Sequence, residues 1–271
     1  MLALRVILLQ LITLLCVPVS LAEKIDLKVG LIRAGGQQYF VDLLQQSMEV
    51  MGHDVSIDIL EDLPQARTVY MVQNGDLSLT WLIQTDERDH EMVPIEVGIT
   101  NGLIGHRVLL IPPTEQHVYD EVYSLDDFRE LNKVGVLGKN WYDVKVWKFN
   151  DLPYIEREGG WQAKVYRQIA SGRRGLDYFS RGVFEVVEEA DQHPYLMIEN
   201  NLLLIYDRDF RFYLSKKAEK YKAIVLESVL AARESGLMDR LIRKHWASAF
   251  ERLSLDHRRQ ILLKNPPENF N

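Results

Sequence analysis

The stretch Leu77-Ser-Leu-Thr-Trp-Leu-Ile-Gln-Thr-Asp-Glu-Arg88 decides how the chain is read. Its apolar first half predicts a buried strand, and its end delivers an aromatic ring, a hydroxyl and a guanidinium to one place. A second apolar run, Gly105-His-Arg-Val-Leu-Leu-Ile-Pro112, predicts a strand that leaves the domain just built. Together they predict a cleft beside a hinge.

Upstream, Lys28 to Arg33 is a short strand stopped by Ala34-Gly35-Gly36, and apolar residues from Tyr39 to Met51 recur at helical spacing. Val55 to Ile59 alternates as a half-buried strand does, and a helix opens near Pro64 and stops at Asn74-Gly75. Strands alternating with helices predict a mainly parallel sheet, with ligands at the carboxyl ends of its strands. Ser124-Leu-Asp-Asp-Phe opens a capped helix, and a second alternating unit runs to Ile198. Leu202 to Tyr206 predicts a return crossing, Phe210 to Leu214 a strand, and two amphipathic helices follow to Phe250. The resulting expectation is an α/β chain of two lobes, the second inserted into the first: 23–109 plus 205–250, then 110–204, with 251–271 as a tail frayed from Asn265. Two crossings permit rigid closure around a small molecule.

The chain has 271 residues, is 47% hydrophobic and carries a formal net charge of -7. A core of useful size is affordable, and the acidic balance with short, scattered basic clusters argues against a nucleic-acid partner. Met1 to Arg5 gives a positive flank, Val6 to Val17 is apolar, and Ser20-Leu-Ala22 is a small-residue cleavage site. This predicts a secretory signal cleaved after Ala22 and a periplasmic location. Cys16, the only cysteine, goes with it, leaving no disulfide, thiolate metal site or cysteine nucleophile.

The order of these elements resembles the periplasmic solute-binding proteins of type II, family 3, the amino-acid-binding group. The residues that carry the likeness are the Thr85-Asp-Glu-Arg88 segment before the crossing, Leu125 opening the second lobe, Ser171-Gly-Arg-x-x-Leu-Asp177 and the final helix pair. The resemblance implies that Arg88 and Thr85 take a ligand carboxylate, with Trp81 or Trp141 walling the pocket. It also implies a second-lobe acid for an ammonium; Asp177, Glu185, Glu188 and Glu199 are available, and Asp177 holds a position that is often structural. Arg33 stands at the end of the first strand. Ser180 and Arg181 read as a strand end ahead of a helix, which makes Arg181 a second anion clamp and admits dicarboxylates as ligands. The implied role is ligand capture for an ABC uptake system, by a monomer that meets a membrane permease. A sensor that presents its closed form to a receptor, or a scaffold without a ligand, keeps the same fold.

Catalysis finds little support. The seven histidines lack metal-ligand spacing, no Gly-x-Ser-x-Gly elbow occurs, and Gly35-Gly36 has neither a dinucleotide fingerprint nor a Walker lysine. No cofactor is expected.

Overall fold

The computed structural model describes residues 24–31, 37–139, 141–157, 162–172 and 175–267. The expected signal peptide and Arg33 lie outside the described residues.

In the first lobe, β1 (Ile25–Leu31) pairs in parallel with β2 (Val55–Glu61) and β3 (Leu79–Ile83). The crossovers are α1 (Gln38–Val50) and α2 (Gln65–Asn74). Leu43, Leu44 and Met48 on α1 are fully buried, each burial being worth about 1.5–3 kcal/mol. A short α3 (Asp86–Glu91) and β4 (Val93–Pro94) follow. The strand expected from Pro94 to Ile99 departs from regular pairing after Pro94, although the Ile95 and Ile99 amides still donate to Phe212 and Phe210 carbonyls.

The second lobe opens with β5 (His106–Ile111) and continues through α4 (Gln116–Tyr119), α5 (Leu125–Glu130), β6 (Gly135–Gly138), α6 (Tyr142–Phe149) and β7 (Tyr154–Arg157). After α7 (Gln162–Ala170) come β8 (Tyr178–Gly182), α8 (Val186–Gln192), β9 (Met197–Ile198) and β10 (Leu202–Ile205). Ser124 caps α5 as expected, accepting from the Asp127 amide while the Asp127 carboxylate accepts from the Ser124 amide. The chain then returns: β11 (Phe210–Leu214) lies antiparallel between β3 and β4, giving the order β2-β1-β3-β11-β4. That placement makes the second lobe an insertion in the first.

The second sheet has the order β12-β10-β5-β8-β6-β7, with β9 beside β5 and β12 spanning Arg259–Leu262. Outgoing β5 and returning β10 are antiparallel neighbours through Leu204 opposite Arg107 and Ile205 opposite His106, so both crossings leave from one place. Asp209 ties them: its carboxylate accepts from the Thr100 amide at 2.9 Å, the Thr100 hydroxyl at 2.5 Å and the Gly102 amide at 2.9 Å. Gly105 is required there, because a Cβ would stand 2.0 Å from the Tyr206 carbonyl oxygen.

Helices α9 (Lys222–Glu234) and α10 (Leu237–His245) cover the first lobe against α1, whereas α11 (Ala247–Leu253) packs on α8. Residues 259–262, within the expected tail, form a strand parallel to β10. Arg258 fixes this return, donating to the carbonyls of Leu253, Glu199 and Leu202, and Asn150 brackets Lys264 by donating to its carbonyl and accepting from its amide, each at 2.8 Å. No helix among the described residues is long and apolar enough to cross a membrane.

Candidate functional site

Two adjoining cavities share Gln65, Ile104, Glu185 and Phe210 and form one cleft between the lobes. Arg88, Trp141 and Arg181 line one end, and Trp81 lines the other.

Thr85 caps α3: its hydroxyl accepts from the Arg88 amide at 3.3 Å. The hydroxyl therefore sets the direction of the helix that carries Arg88, and it is not among the residues lining the cleft. The Arg88 guanidinium donates to the Ile83 carbonyl at 2.5 Å. Burial pulls the Arg88 pKa below its ordinary value, with Tyr213, Glu87 and Glu91 pulling weakly the other way. No carboxylate among the described residues lies within ion-pairing distance of it.

Ser180 and Arg181 sit inside β8 and not at a strand end, since the strand runs on to Gly182 and α8 begins only at Val186. Ser180 is buried opposite Leu109, its hydroxyl without a hydrogen-bond partner among the described residues. Arg181 is held by two acids: Nε and Nη2 donate to Glu189, and Nη2 lies 3.0 Å from Glu185 Oε2. Burial works against its charge, yet Glu185 and Glu189 outweigh that and raise its pKa. Burial also pushes the Glu189 carboxyl up, against the pull of Arg181. The Arg181 guanidinium lies 5.1 Å from the Trp141 ring centroid and 4.8 Å from that of Phe179. Trp141 occupies the residue before α6, where its indole lies so close to Gly138 that a Cβ would be 2.3 Å from the ring.

Of the second-lobe acids, Glu185 lines the cleft. Asp177 accepts from the Val134 amide and pairs with Lys133 at 3.2 Å, which is a structural task. Glu199 is fully buried and accepts from Gln116 and from the Asn201 and Leu202 amides. Glu188 bonds Gln192 on the exposed side of α8.

Sequence reading missed Arg107 and Asp143, which form a buried pair at 2.6 Å in the cleft wall, with the Tyr206 hydroxyl donating to the same carboxylate at 3.3 Å. Burial opposes the Arg107 charge, but Asp143, Tyr206 and Glu185 override it and raise its pKa far above the usual range. The available signal was an arginine inside an apolar run, because a cation placed there must find an acid. Also missed were Phe40, Phe184, Phe210 and Trp246. Phe40 stacks on Trp81 with ring centroids 4.9 Å apart, and Phe184 of the second lobe stacks on Trp246 at 3.5 Å.

No protein-family model and no curated protein matches the sequence. Solved structures do resemble the chain. An amino acid ABC transporter substrate-binding protein, AbpA from Streptococcus pneumoniae, bound to L-arginine, aligns at TM-score 0.56 and 15% identity over 83% of this chain and 95% of its own. The GluR0 ligand-binding core with L-glutamate aligns at TM-score 0.57 and 15% identity over 82% and 98%. The substrate-binding protein of another amino acid ABC transporter aligns at 0.53 and 12% identity, again over 82% and 98%. With both sheets, the antiparallel insertion and the paired crossings in place, the chain has the two-lobe, type II periplasmic-binding-protein fold.

Proposed function

We propose that this chain is a periplasmic solute-binding protein that closes around a small anionic or zwitterionic, amino-acid-like ligand and delivers it to an ABC uptake system. The observation that carries the reading is Arg88: of the arginines lining the cleft, it alone has no described carboxylate within ion-pairing distance. A guanidinium fork matches a carboxylate bidentately, and a half-buried one gains more from an arriving anion than an exposed one. Trp81 and Trp141 then wall the ligand, and Thr85 holds the helix turn that presents Arg88. Arg181, Ser180 and Arg33 complete the candidate set, with Arg181 acting through its ring contacts and its acids more than as a free clamp. The neighbours that bind L-arginine and L-glutamate support a ligand of this class.

The mechanism is a population shift. A ligand touching both lobes binds the closed arrangement more tightly, and closure about the Asp209-tied crossings follows from that difference. The role is binding without catalysis, by a monomer exported to the periplasm that meets its permease transiently.

A thermal-shift screen of the mature chain against amino acids, dicarboxylates and polyamines tests the reading. A ligand at a hundredfold excess over its Kd adds about 2.7 kcal/mol of stability. If nothing in the set moves the melting temperature, the chain is a scaffold that no longer binds such solutes. The alternative with the same fold is a sensor that presents its closed form to a receptor, for which deletion of the gene abolishes a response to the ligand and leaves its uptake intact.

A further inference from the structure

The crossings have a second face. Side chains along a strand alternate between the two faces of its sheet, and on β5 they divide so that Arg107 lines the cleft and His106 lines a separate cavity behind it. Just upstream, Ile104 lines the cleft and Leu103 the rear cavity. The rear cavity shares no lining residue with either part of the cleft and encloses about 440 Å³, against about 180 and 130 Å³ for those two parts. Small-molecule sites run from about 300 to 1,000 Å³. Its walls come from α10 of the first lobe, from β10 and β12 of the second sheet, and from α11 with the turn that follows it.

Five polar side chains of this cavity, Arg243, Ser254, Asp256, His257 and Gln260, have no hydrogen-bond or ion-pair partner among the described residues. Arg243 is the exception among nearby arginines. Arg240, Arg252, Arg258 and Arg259 each donate to a carbonyl or a carboxylate, whereas the Arg243 guanidinium lies 5.5 Å from the Phe250 ring centroid. A contact with a ring face satisfies no N–H, so those donors remain for an arriving oxyanion. Two other groups call for donors on the ligand: Asp256 accepts, and His106, whose Nδ1 donates to the Gly102 carbonyl at 3.0 Å, has Nε2 left to accept. Phe250 and Leu255 add apolar wall. Ser254 opens the turn that carries Asp256 and His257 at φ 47° and ψ 50°, left-handed values rare for a residue with a Cβ. Such a conformation persists where its surroundings hold it, and here buried Arg258 anchors the turn through the Leu253 carbonyl at 2.7 Å.

We propose that the rear cavity is a second ligand site, separate from the cleft, for a small organic oxyanion: its carboxylate or phosphate on Arg243, its ring or apolar body against Phe250 and Leu255, and a hydroxyl or N–H toward Asp256 and His106.

NMR of the mature chain at about pH 8, where ordinary imidazoles are neutral, tests this by following the ring protons of His106 and His257. His106→Gln and His257→Gln assign the two signals. The probes are 4-hydroxybenzoate and phenyl phosphate, with 4-hydroxybenzamide as the neutral control and acetate and inorganic phosphate as anions without a ring. At least one ring-bearing anion is expected to shift both histidines and to bind about tenfold or more tighter than the amide and the ringless anions. Which of the two does so separates a carboxylate from a phosphate ligand. Arg243→Ala is expected to weaken that probe by about tenfold or more, while Arg88→Ala, which disables the cleft, leaves it unchanged. Arg243 is exposed, and melting curves check that its variant keeps the fold. Three outcomes overturn the inference: equal binding of the neutral amide, binding lost in Arg88→Ala but kept in Arg243→Ala, or no probe moving the two histidine rings. Each of them leaves the solute-binding reading of the cleft standing.

Discussion

Arg88 meets the cleft with its guanidinium resting on the Ile83 carbonyl, while Arg107 and Arg181 are already answered by acids. An anion entering the cleft therefore finds in Arg88, among the described residues, a cation with no carboxylate in ion-pairing distance. Arg88→Ala is expected to weaken the ligand found by screening by about 1.5–3 kcal/mol, the range for a charge-assisted bond. Arg88→Lys should recover part of that, since an ammonium keeps the charge and loses the fork. Calorimetry decides it, and an unchanged affinity in the alanine variant removes Arg88 from the site. A second single residue contributes to the pH dependence of stability. His106, at the start of β5, has Nδ1 3.0 Å from the Gly102 carbonyl, so that nitrogen donates. Burial lowers its pKa below the ordinary 6.5, against the opposing effect of that bond. The unfolded chain then takes the proton first as pH falls: the stability is present above the unfolded pKa and is lost as pH drops from there through the folded one. His106→Gln can still donate to Gly102 and does not titrate, so urea melts between about pH 7 and pH 5 should show a shallower loss in the variant. Equal slopes in the two proteins count against a buried, neutral His106.

Elements show where sequence logic carried and where it stopped. An apolar run pointed to β1 and alternation located β2 and β11, and Ser124 announced a helix start because a cap is a local arrangement of one side chain and the next turn's amides, whereas Thr85, read as a ligand contact, caps α3. The β8 boundary slipped: Ser180 and Arg181 read as a strand end, yet pairing with β5 runs from Phe179 to Gly182 and carries Arg181 into the strand. No local pattern reveals that, because what makes a buried arginine tolerable in β8 is Glu189, eight residues on. The rings lining the cleft were equally silent, since α1, β3, the turn into α8, β11 and the turn into α11 each contribute one. β12 was hidden for a related reason. Arg259 to Leu262 is short and charged at its start, and its partner is β10, far back in the chain, with the Asn201 carbonyl taking the Arg259 amide and Asn150 holding Lys264 just beyond it. The energetics of that strand are testable. Asn150 is fully buried and holds the Lys264 amide and carbonyl besides the Val146 carbonyl. Asn150→Ala strips these bonds and leaves buried backbone groups unpaired, so a loss of about 2–4 kcal/mol is expected. Hydrogen exchange should quicken at Leu263 and Lys264 well before the α1 amides. Protection that persists there in the variant would mean β12 is held by β10 alone.

At the scale of the molecule, the unusual feature is that apolar packing does not stop at the cleft. One continuous cluster joins Leu79, Trp81 and Phe212 of the first lobe to Val108, Phe179 and Val186 of the second. Trp246 stands at the seam: its ring lies 4.3 Å from Tyr39 and 3.5 Å from Phe184, and Arg252 in the next helix reaches Asp191 at 2.7 Å. Lobes joined only by two crossings can melt separately, whereas lobes sharing a core should melt together. A single calorimetric transition is therefore expected for the mature chain. Trp246→Ala should cost about 3–5 kcal/mol, as large-to-small changes of buried aromatics do. The same change should also split the transition, because it removes the ring that both lobes contact. Trp246→Phe keeps a ring at the seam and should keep one transition. The surface pair is a useful contrast: Arg252→Ala breaks a contact that is about half exposed on both sides and should move stability by no more than about 1 kcal/mol. If Trp246→Ala lowers the melting temperature and the unfolding stays a single transition with equal calorimetric and van't Hoff enthalpies, the lobes are coupled elsewhere. The Asp209-tied crossings would then be the place to look.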